Sequence, residues 1–160
     1  MKVIANATLM LCLGSLAACS VGSNGGKNGA VDDARLLAGE PDGANWLSYG
    51  RTYDEQRFSP LSQVSDSNIG QLGLEWSSDL DTARGQEATP IVVDGVMYIS
   101  TAWSMVKAYD AATGKPLWSY DPEVPREKLV DVCCDAVNRG VAVYKGKVYV
   151  ATIAGHLPQR

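Results

Sequence analysis

Residues 92–106, VVDGVMYISTAWSMV, and residues 143–157, VYKGKVYVATIAGHL, are two copies of one pattern, 51 positions apart in the chain. Each copy has two runs rich in β-branched and aromatic residues, separated by the turn pair Asp94-Gly95 or Lys145-Gly146. Such a pattern predicts a β-hairpin. A repeat of about 40–50 residues with four short strands is typical of a β-propeller blade. The sequence therefore predicts an all-β fold, a partial β-propeller, and leaves an ordinary β-sandwich open as the alternative.

The residues around the first copy predict further strands. After it comes AYDAATGKPLWSYD, residues 108–121, in which Asp110 begins a tight turn that Gly114 closes. Trp118 then returns on the last strand of the blade, where we expect it to pack against a neighbouring blade. Upstream, LEWSSDL at residues 74–80 is predicted to form another strand.

Two short helices are predicted before the sheet. The stretch from Asp32 to Gly39, DDARLLAG, has an N-capping aspartate at its start and a glycine at its end. Residues 65–68, Ser-Asp-Ser-Asn, are expected to cap a single helical turn before Ile69.

The charge of the chain excludes nucleic acid as a partner. The 160 residues carry a net charge of −4, and the 14 basic residues are scattered along the sequence. Binding to a nucleic-acid duplex requires clustered Lys and Arg side chains. The chain lacks such a cluster in its sequence.

Residues 1–19 are predicted to be an export signal. Lys2 is followed by a mostly apolar run to Ala18, shorter than the about 20 residues that span a bilayer. The end of the run, Leu16-Ala17-Ala18-Cys19, resembles the bacterial lipobox, in which the cysteine is lipidated. A plain signal peptide cut near Ala18 is the alternative. Both interpretations place the mature protein in the periplasm, and lipidation of Cys19 would anchor it in a membrane.

The remaining chain is predicted to have two parts. Residues 20–38 are expected to form a flexible tether, because residues 20–32 are rich in Gly, Ser and Asn without apolar periodicity. Residues 39–160 are expected to form the N-terminal part of the propeller. Since two partial blades cannot close a ring, we expect this part to be truncated.

Cys133 and Cys134 are adjacent, and in an exported protein each is the other's expected intramolecular partner. A bond between them closes a strained ring, because neighbouring Cα atoms lie about 3.8 Å apart and ordinary disulfides prefer about 4.4–6.8 Å. Strained groups occur where something is held or switched. Two alternatives stay open: buried thiols acting as small hydrophobes, or a metal site, although the only histidine, His156, is distant in sequence.

Two charged residues stand close to the predicted strand starts. Arg139 lies five positions after Cys134, and Glu87 precedes the strand that opens the repeat. Arginine offers a planar fork of donors suited to carboxylates and quinone oxygens. Each residue alone is more often a solvated charge at a strand end.

Together these residues resemble the family of methanol and ethanol dehydrogenases that depend on pyrroloquinoline quinone (PQQ). The resemblance runs from about Asn45 to Leu157 and is carried by five stretches: NWLSYGRTYDEQRFSPL, LEWSSDL, GQEATPIVVDGVMY, AYDAATGKPLW and DVCCDAVNRGVAVYKGKVYVATI. The string Cys-Cys-Asp-x-Val-Asn-Arg-Gly is its most specific element, whereas AYDAATGKPLW is shared by many propellers.

The resemblance implies an eight-bladed propeller, of which this chain would hold the first blades, with PQQ on the central axis. It implies that Cys133 and Cys134 form a disulfide against one face of the cofactor, opposite an indole. Arg139 would bind polar groups of PQQ, and Glu87 would lie beside it and contact the cofactor.

The implied reaction is the PQQ- and Ca²⁺-dependent oxidation of a primary alcohol to an aldehyde, with electrons passed to cytochrome c. In that family the calcium ligands and the catalytic aspartate lie further along the chain. We therefore expect no catalytic residue and no metal ligand among these 160 residues, and no activity of the chain alone.

A different class of protein is the main alternative: a non-enzymatic β-propeller lipoprotein that scaffolds outer-membrane protein assembly. Such proteins share the blade repeat and the lipobox with Cys19. They give no reason for a Glu-Ala-Thr-Pro stretch before the strand, or for a cysteine pair followed by Arg139. These features favour the dehydrogenase.

Overall fold

The computed structural model describes residues 30–159. The predicted export signal, with Cys19, and residues 20–29 of the predicted tether lie outside the described residues.

The described residues form one four-stranded antiparallel sheet, in the order β1-β2-β3-β4, followed by an antiparallel hairpin, β5-β6. The strands are β1 (Ile91–Val93), β2 (Val96–Ser100), β3 (Val106–Asp110), β4 (Pro116–Tyr120), β5 (Ala142–Tyr144) and β6 (Lys147–Tyr149). The helices are α1 (Asp33–Ala38) and three short 3₁₀ helices at Ile69–Gln71, Ala102–Ser104 and Arg126–Asp131. A four-stranded meander is one propeller blade, and the hairpin begins a second. The all-β prediction is confirmed.

The two hairpin turns of the repeat have the same backbone conformation. Asp94 and Gly95 have φ angles of 50° and 81°, and Lys145 and Gly146 have φ angles of 47° and 75°. Two successive positive φ angles are the mark of the type I′ turn, whose twist matches that of the strands that it joins.

The four-stranded sheet and the hairpin each have two distinct ends. The β1–β2, β3–β4 and β5–β6 turns lie at one end, which we call the turn end. The segments that lead into β1 and the β2–β3 loop lie at the other, which we call the site end. The division follows from the antiparallel order, since each strand reverses the direction of the one before it.

The main apolar core joins the sheet to the hairpin. It consists of buried aliphatic side chains from both, together with two from the N-terminal residues: Ile91, Val93, Val106, Val143, Val148, Val150, Val31 and Leu47. Trp118 packs against this core, which contains side chains of both blades. Burial of each aliphatic side chain contributes about 1.5–3 kcal/mol.

The strand predicted at residues 74–80 is absent. An extended run becomes a strand only when its backbone has a ladder partner, and this run has none among the described residues. Its tryptophan packs against the β3–β4 turn instead. Nε1 of Trp76 donates to the backbone oxygen of Ala111 at 3.1 Å, and the indole stacks on Tyr109 with ring centroids 6.3 Å apart.

The tight turn predicted between Asp110 and Gly114 is confirmed. Oδ1 of Asp110 accepts hydrogen bonds from the backbone N and the Oγ1 of Thr113, each at 2.8 Å. The backbone N of Gly114 donates to the backbone oxygen of Asp110 at 2.9 Å. The hydrogen bond from the Thr113 side chain, followed by the one from its backbone, lowers the pKa of Asp110. The carboxylate therefore favours the turn in its charged form.

The C-terminal part of the tether prediction is wrong. Val31 is 1% exposed within the core, and its backbone oxygen accepts from the backbone N of Lys145 at 2.7 Å. The helix predicted between Asp32 and Gly39 is confirmed as α1: Asp32 accepts from the backbone N of Arg35, and Gly39 ends the helix with a φ of 69°. A buried valine and a capped helix fix these residues against the sheet.

Residues 31–40, which we call the N-terminal strap, connect the turns of both blades. Arg35 donates to both oxygens of Asp94 in the β1–β2 turn, at 3.0 and 2.6 Å, and its Nε donates to Glu40 at 2.6 Å. The hydrogen bond with Asp94 is the largest cause of the raised pKa of Arg35. The hydroxyl of Tyr144, beside the β5–β6 turn, donates to Asp33 at 3.0 Å. The strap therefore crosses the turn end from one blade to the next.

The helical turn predicted before Ile69 is present as the 3₁₀ helix Ile69–Gln71. Its cap differs from the expectation. Asn68 precedes the helix, but its Oδ1 accepts from the backbone N of Ser65 at 2.7 Å and not from the helix. Within residues 30–159, none of the helices is both long and apolar enough to cross a bilayer.

The contact between Trp76 and the β3–β4 turn predicts an unequal response of two turn glycines to alanine. A Cβ at Gly114 would lie 2.5 Å from two atoms of the Trp76 ring, whereas a Cβ at Gly95 would have no heavy atom within 4 Å. Both glycines have positive φ angles, so both variants bear the left-handed strain of about 1–2 kcal/mol. We expect Gly114→Ala to lower the free energy of unfolding by about 3 kcal/mol, because overpacking adds to that strain.

Urea unfolding followed by tryptophan fluorescence measures this difference, with Gly95→Ala as the matched control. Equal losses in the two variants would contradict the role of Trp76 in holding the turn.

Candidate cofactor-binding site

All four predicted site residues lie at the site end. Glu87 belongs to residues 84–90, which lead into β1, and Arg139 belongs to residues 135–141, which lead into β5. We call these two stretches the first and second lead-in segments. Cys133 and Cys134 come directly before the second one.

Cys133 and Cys134 are joined by a disulfide bond in the structure. Their Cα atoms are 3.8 Å apart, the spacing of a trans peptide, and cis peptides are absent from the described residues. Both cysteines are exposed. The bond thus presents its sulfur atoms at the surface of the site end. The cofactor role of the two cysteines stays a prediction.

Glu87 and Arg139 form an ion pair. Nε of Arg139 lies 3.3 Å from Oε2 of Glu87, and the two side chains are 76% and 43% exposed. The backbone oxygen of Arg139 accepts from the backbone N of Thr89 at 3.3 Å, which ties the two lead-in segments together at the same place. An ion pair this exposed contributes little to stability. Its effect is to fix where the guanidinium lies.

The two lead-in segments run side by side in the register of the repeat. Arg84 forms an ion pair with Asp135, the residue 51 positions further along, which is its equivalent in the second copy. A Cβ at Gly85 would lie 3.7 Å from Val137. Residues at or next to equivalent positions of consecutive blades therefore become neighbours at the site end. Glu87 is equivalent to Asn138, and it meets the next residue, Arg139.

Asn138 fixes the second lead-in segment and was not singled out from the sequence. Its Nδ2 donates to Oγ of Ser104 at 3.1 Å and to the backbone oxygen of Ala151 at 2.8 Å. Its Oδ1 accepts from the backbone N of Gly140 at 3.1 Å. These bonds hold the backbone on either side of Arg139. A signal was present in the sequence, since a short polar side chain beside a glycine often bonds the local backbone.

Trp103 is the second residue that the sequence reasoning missed. It is 9% exposed, and its backbone N donates to the backbone oxygen of Ala136 at 2.8 Å. The guanidinium carbons of Arg126 and Arg84 lie 4.1 and 5.2 Å from the centre of its ring. Trp103 has a φ of 64°, which is uncommon for a bulky residue and is not predicted by the local sequence.

The described residues were compared with the side-chain groups that hold metal ions in proteins. Residues 30–159 contain no group of three or more His, Cys, Asp or Glu side chains placed to hold a metal ion. The lone His156 bonds through its backbone to Thr152 and stands in a tight turn. No metal-dependent step is therefore assigned to these residues.

Comparisons with known proteins agree with this geometry. Residues 46–157 match the model of the PQQ family described as glucose/ethanol/alcohol dehydrogenase, beta-propeller domain. The chain is 54% identical over 157 residues to the quinohemoprotein alcohol dehydrogenase ADH IIB of Pseudomonas putida, covering 98% of this chain and 22% of that protein. It is 56% identical over 115 residues to the 1-butanol dehydrogenase (cytochrome c) of Thauera butanivorans, covering 72% and 17% of the two chains.

Among solved structures, the chain is similar to the quinohemoprotein alcohol dehydrogenase ADHIIG of Pseudomonas putida. The two have a TM-score of 0.79 and 58% identity, over 81% of this chain and 19% of that one. The chain belongs to the family of PQQ-dependent alcohol dehydrogenases. It spans about a fifth of the length of these relatives, and the prediction of a partial propeller is confirmed.

The disulfide predicts a defined pattern of alkylation. The chain is exported from a bacterium, purified without reduction and unfolded before alkylation. Iodoacetamide should then add no group to the tryptic peptide 129–139, because both sulfur atoms are in the disulfide bond. After reduction it should add two groups. Mass spectrometry of the peptide measures both numbers, and Cys133→Ser is the control that should add one group without reduction. Two groups on the unreduced peptide would contradict the bond.

Proposed function

We propose that this chain is part of a longer periplasmic enzyme that oxidises a primary alcohol to an aldehyde, using PQQ and Ca²⁺, and passes electrons to cytochrome c. Family membership supports an alcohol dehydrogenase, and the names of the relatives include a quinohemoprotein and a cytochrome c-linked enzyme. The observation that carries the proposal is the grouping of an exposed disulfide, Glu87 and Arg139 at one end of the blades.

The side chains at the site end fit PQQ, a planar quinone that carries carboxylates. The guanidinium of Arg139 is 76% exposed, so most of its donor fork faces outward, and such a fork suits carboxylate and quinone oxygens. The disulfide, which ends five positions before Arg139, is exposed and offers polarizable sulfur atoms without strong hydrogen-bond donors. A positive fork and a weakly polar surface at the same end of the blades suit a planar anion.

When bound, PQQ would accept the electrons of the alcohol, with Ca²⁺ as a Lewis acid on its carbonyl. The residues of this chain contribute binding and orientation. Arg139 supplies positive charge for the polar edge of the cofactor. Glu87 holds that guanidinium in place and limits the net charge beside it. The Cys133–Cys134 ring excludes water from one face without competing for hydrogen bonds.

The calcium ligands and the catalytic base are proposed to lie in other parts of the longer protein. The described residues hold no metal-binding cluster, and the relatives contain about four fifths of their length outside the matched part. In this proposal the chain provides one wall of a site that needs the other blades. The chain alone is therefore expected to bind PQQ weakly and to oxidise no alcohol.

The scaffold lipoprotein is less well supported than the dehydrogenase. The family match covers the blade repeat and the cysteine string together. A scaffold has no physical need for an exposed disulfide beside an exposed Glu87–Arg139 pair, since such groups add little to the stability of a blade.

A chimera tests the proposal. Residues 46–157 of this chain would replace the matching part of ADHIIG of Pseudomonas putida. The structure of ADHIIG is solved, and this chain is 58% identical to it. We expect the chimera to take up PQQ and to reduce cytochrome c with ethanol. Arg139→Met in the chimera should weaken PQQ binding at least about tenfold, the loss of one charge-assisted hydrogen bond of about 1.5–3 kcal/mol.

The exposed Lys128, which pairs only locally with Asp131 at 3.1 Å, provides the matched control, and Lys128→Met should leave PQQ binding unchanged. Uptake is measured by quinone absorbance, with the isolated chain as a second sample. A folded chimera that takes up no PQQ would overturn the proposal, and stoichiometric tight uptake by the isolated chain would overturn its dependence on the other blades.

We also propose that the chain is exported and lipidated on Cys19, on the strength of Leu16-Ala17-Ala18-Cys19. Expression in a bacterium fed with labelled palmitate should label the wild-type chain and not Cys19→Ala. Membrane fractionation should place the wild-type chain with the membranes. Release of unlabelled wild-type chain into the periplasm would favour the plain signal peptide.

A further inference from the structure

Arg84 lies where the first lead-in segment meets the residues that follow the disulfide. Its guanidinium forms an ion pair with Asp135, the residue directly after Cys134, and lies 5.2 Å from the centre of the Trp103 ring. The two side chains of the ion pair are 39% and 36% exposed. Arg84 thus contacts a charged neighbour of the disulfide and an aromatic ring of the β2–β3 loop at once.

The partner ring is firmly fixed. Trp103 belongs to a second, small core with Val124 and Ala136, and Ala136 is fully buried. The backbone N of Trp103 donates to the oxygen of Ala136, two positions after Cys134. A guanidinium above this indole therefore rests on an immobile surface, where a cation–π contact is favourable.

The disulfide has little packing of its own. Both cysteines are exposed, and the 3₁₀ helix Arg126–Asp131 that precedes them has no buried residue. Regular strands do not begin again until Ala142. The residues next to the ring must then orient it through their own contacts. Among these residues, Asp135 forms the ion pair with Arg84 of the first lead-in segment.

We propose that Arg84 is a positioning residue for the Cys133–Cys134 ring. By pairing with Asp135 while it rests on Trp103, it fixes the ring relative to the lead-in segment that also carries Glu87. The spacing between the disulfide and the Glu87–Arg139 pair is then set by two ion pairs between the lead-in segments, Arg84–Asp135 and Glu87–Arg139. The proposal rests on the proposed function in so far as the ring is a wall of the cofactor site, but the contacts exist without cofactor.

The test measures the access of a reductant to the disulfide in the 160-residue chain. A neutral phosphine, tris(hydroxypropyl)phosphine, attacks along the sulfur–sulfur axis and is indifferent to the charge that a substitution removes. Arg84→Met should raise the rate of reduction about fivefold, the factor expected when a partly exposed ion pair and a cation–π contact are lost. Asp135→Asn should raise it similarly, and the double variant should be no faster than either single variant.

Rescue separates positioning from general stability. Arg84→Lys retains the charge, so it should restore part of the wild-type rate. The free energy of unfolding should fall by no more than the about 1 kcal/mol to which a fivefold change corresponds, so reduction still takes place on the folded chain. Lys128→Met removes an ion pair with Asp131 just before the disulfide and is the matched control, with no change in rate.

An unchanged rate in Arg84→Met would overturn the proposal. So would an equal rise in Lys128→Met, or a rise that is fully accounted for by the fraction of globally unfolded chain. Since the readout needs no PQQ, it is independent of the chimera experiment. Failure of PQQ uptake would leave the positioning result intact, and failure of the reduction test would leave the proposed function intact.

Discussion

The contact between the inner faces of two neighbouring blades is the constraint on which the rest of this structure depends. A four-stranded sheet with a valine-rich face cannot bury that face alone, so it needs a second sheet against it. Here Ile91 and Val106 of the first blade share one core with Val143 and Val148 of the second. Once the sheets meet in the register of the repeat, the two lead-in segments at the site end are also brought together. The grouping of Glu87 with Arg139 is therefore a consequence of blade packing as much as of the charges of the two residues.

The two ends of the blades are ordered by different interactions. At the turn end, glycines and aspartates make tight turns, and the N-terminal strap links one blade to the next through Arg35 and Asp94. At the site end, the connections are longer and irregular, and polar side chains replace the backbone ladder as the source of order. Asn138 and Trp103 hold the backbone around the disulfide and Arg139, which leaves the chemical groups themselves exposed.

The sequence predicted the elements whose signal is local. The pairs Asp94-Gly95 and Lys145-Gly146 predicted their turns because positive φ angles favour glycine. The helix after Asp32 was predicted from its capping aspartate and from the glycine at its end. Prediction from the sequence failed where a partner elsewhere in the chain decides the local structure. The run at Trp76 is extended in pattern yet unpaired, and Val31 is buried although it follows a glycine-rich stretch. The positions of Glu87 and Arg139 at strand starts were visible in the sequence, and the resemblance implied a role for them. Arg84 and Trp103 act through contacts between distant parts of the chain, which no local pattern contains.

The N-terminal strap also has a consequence for the order in which the chain acquires its structure. Its bond from Arg35 to Asp94 spans 59 positions, whereas its bond from Tyr144 to Asp33 spans 111. As the chain emerges from its N-terminus onward, the first blade can close on the strap well before the second hairpin has been made. The later contact then forms on a surface that is already assembled, at the small additional entropic cost of a longer loop. The strap is thus a template on which successive blades are added one after another, from the N-terminus onward.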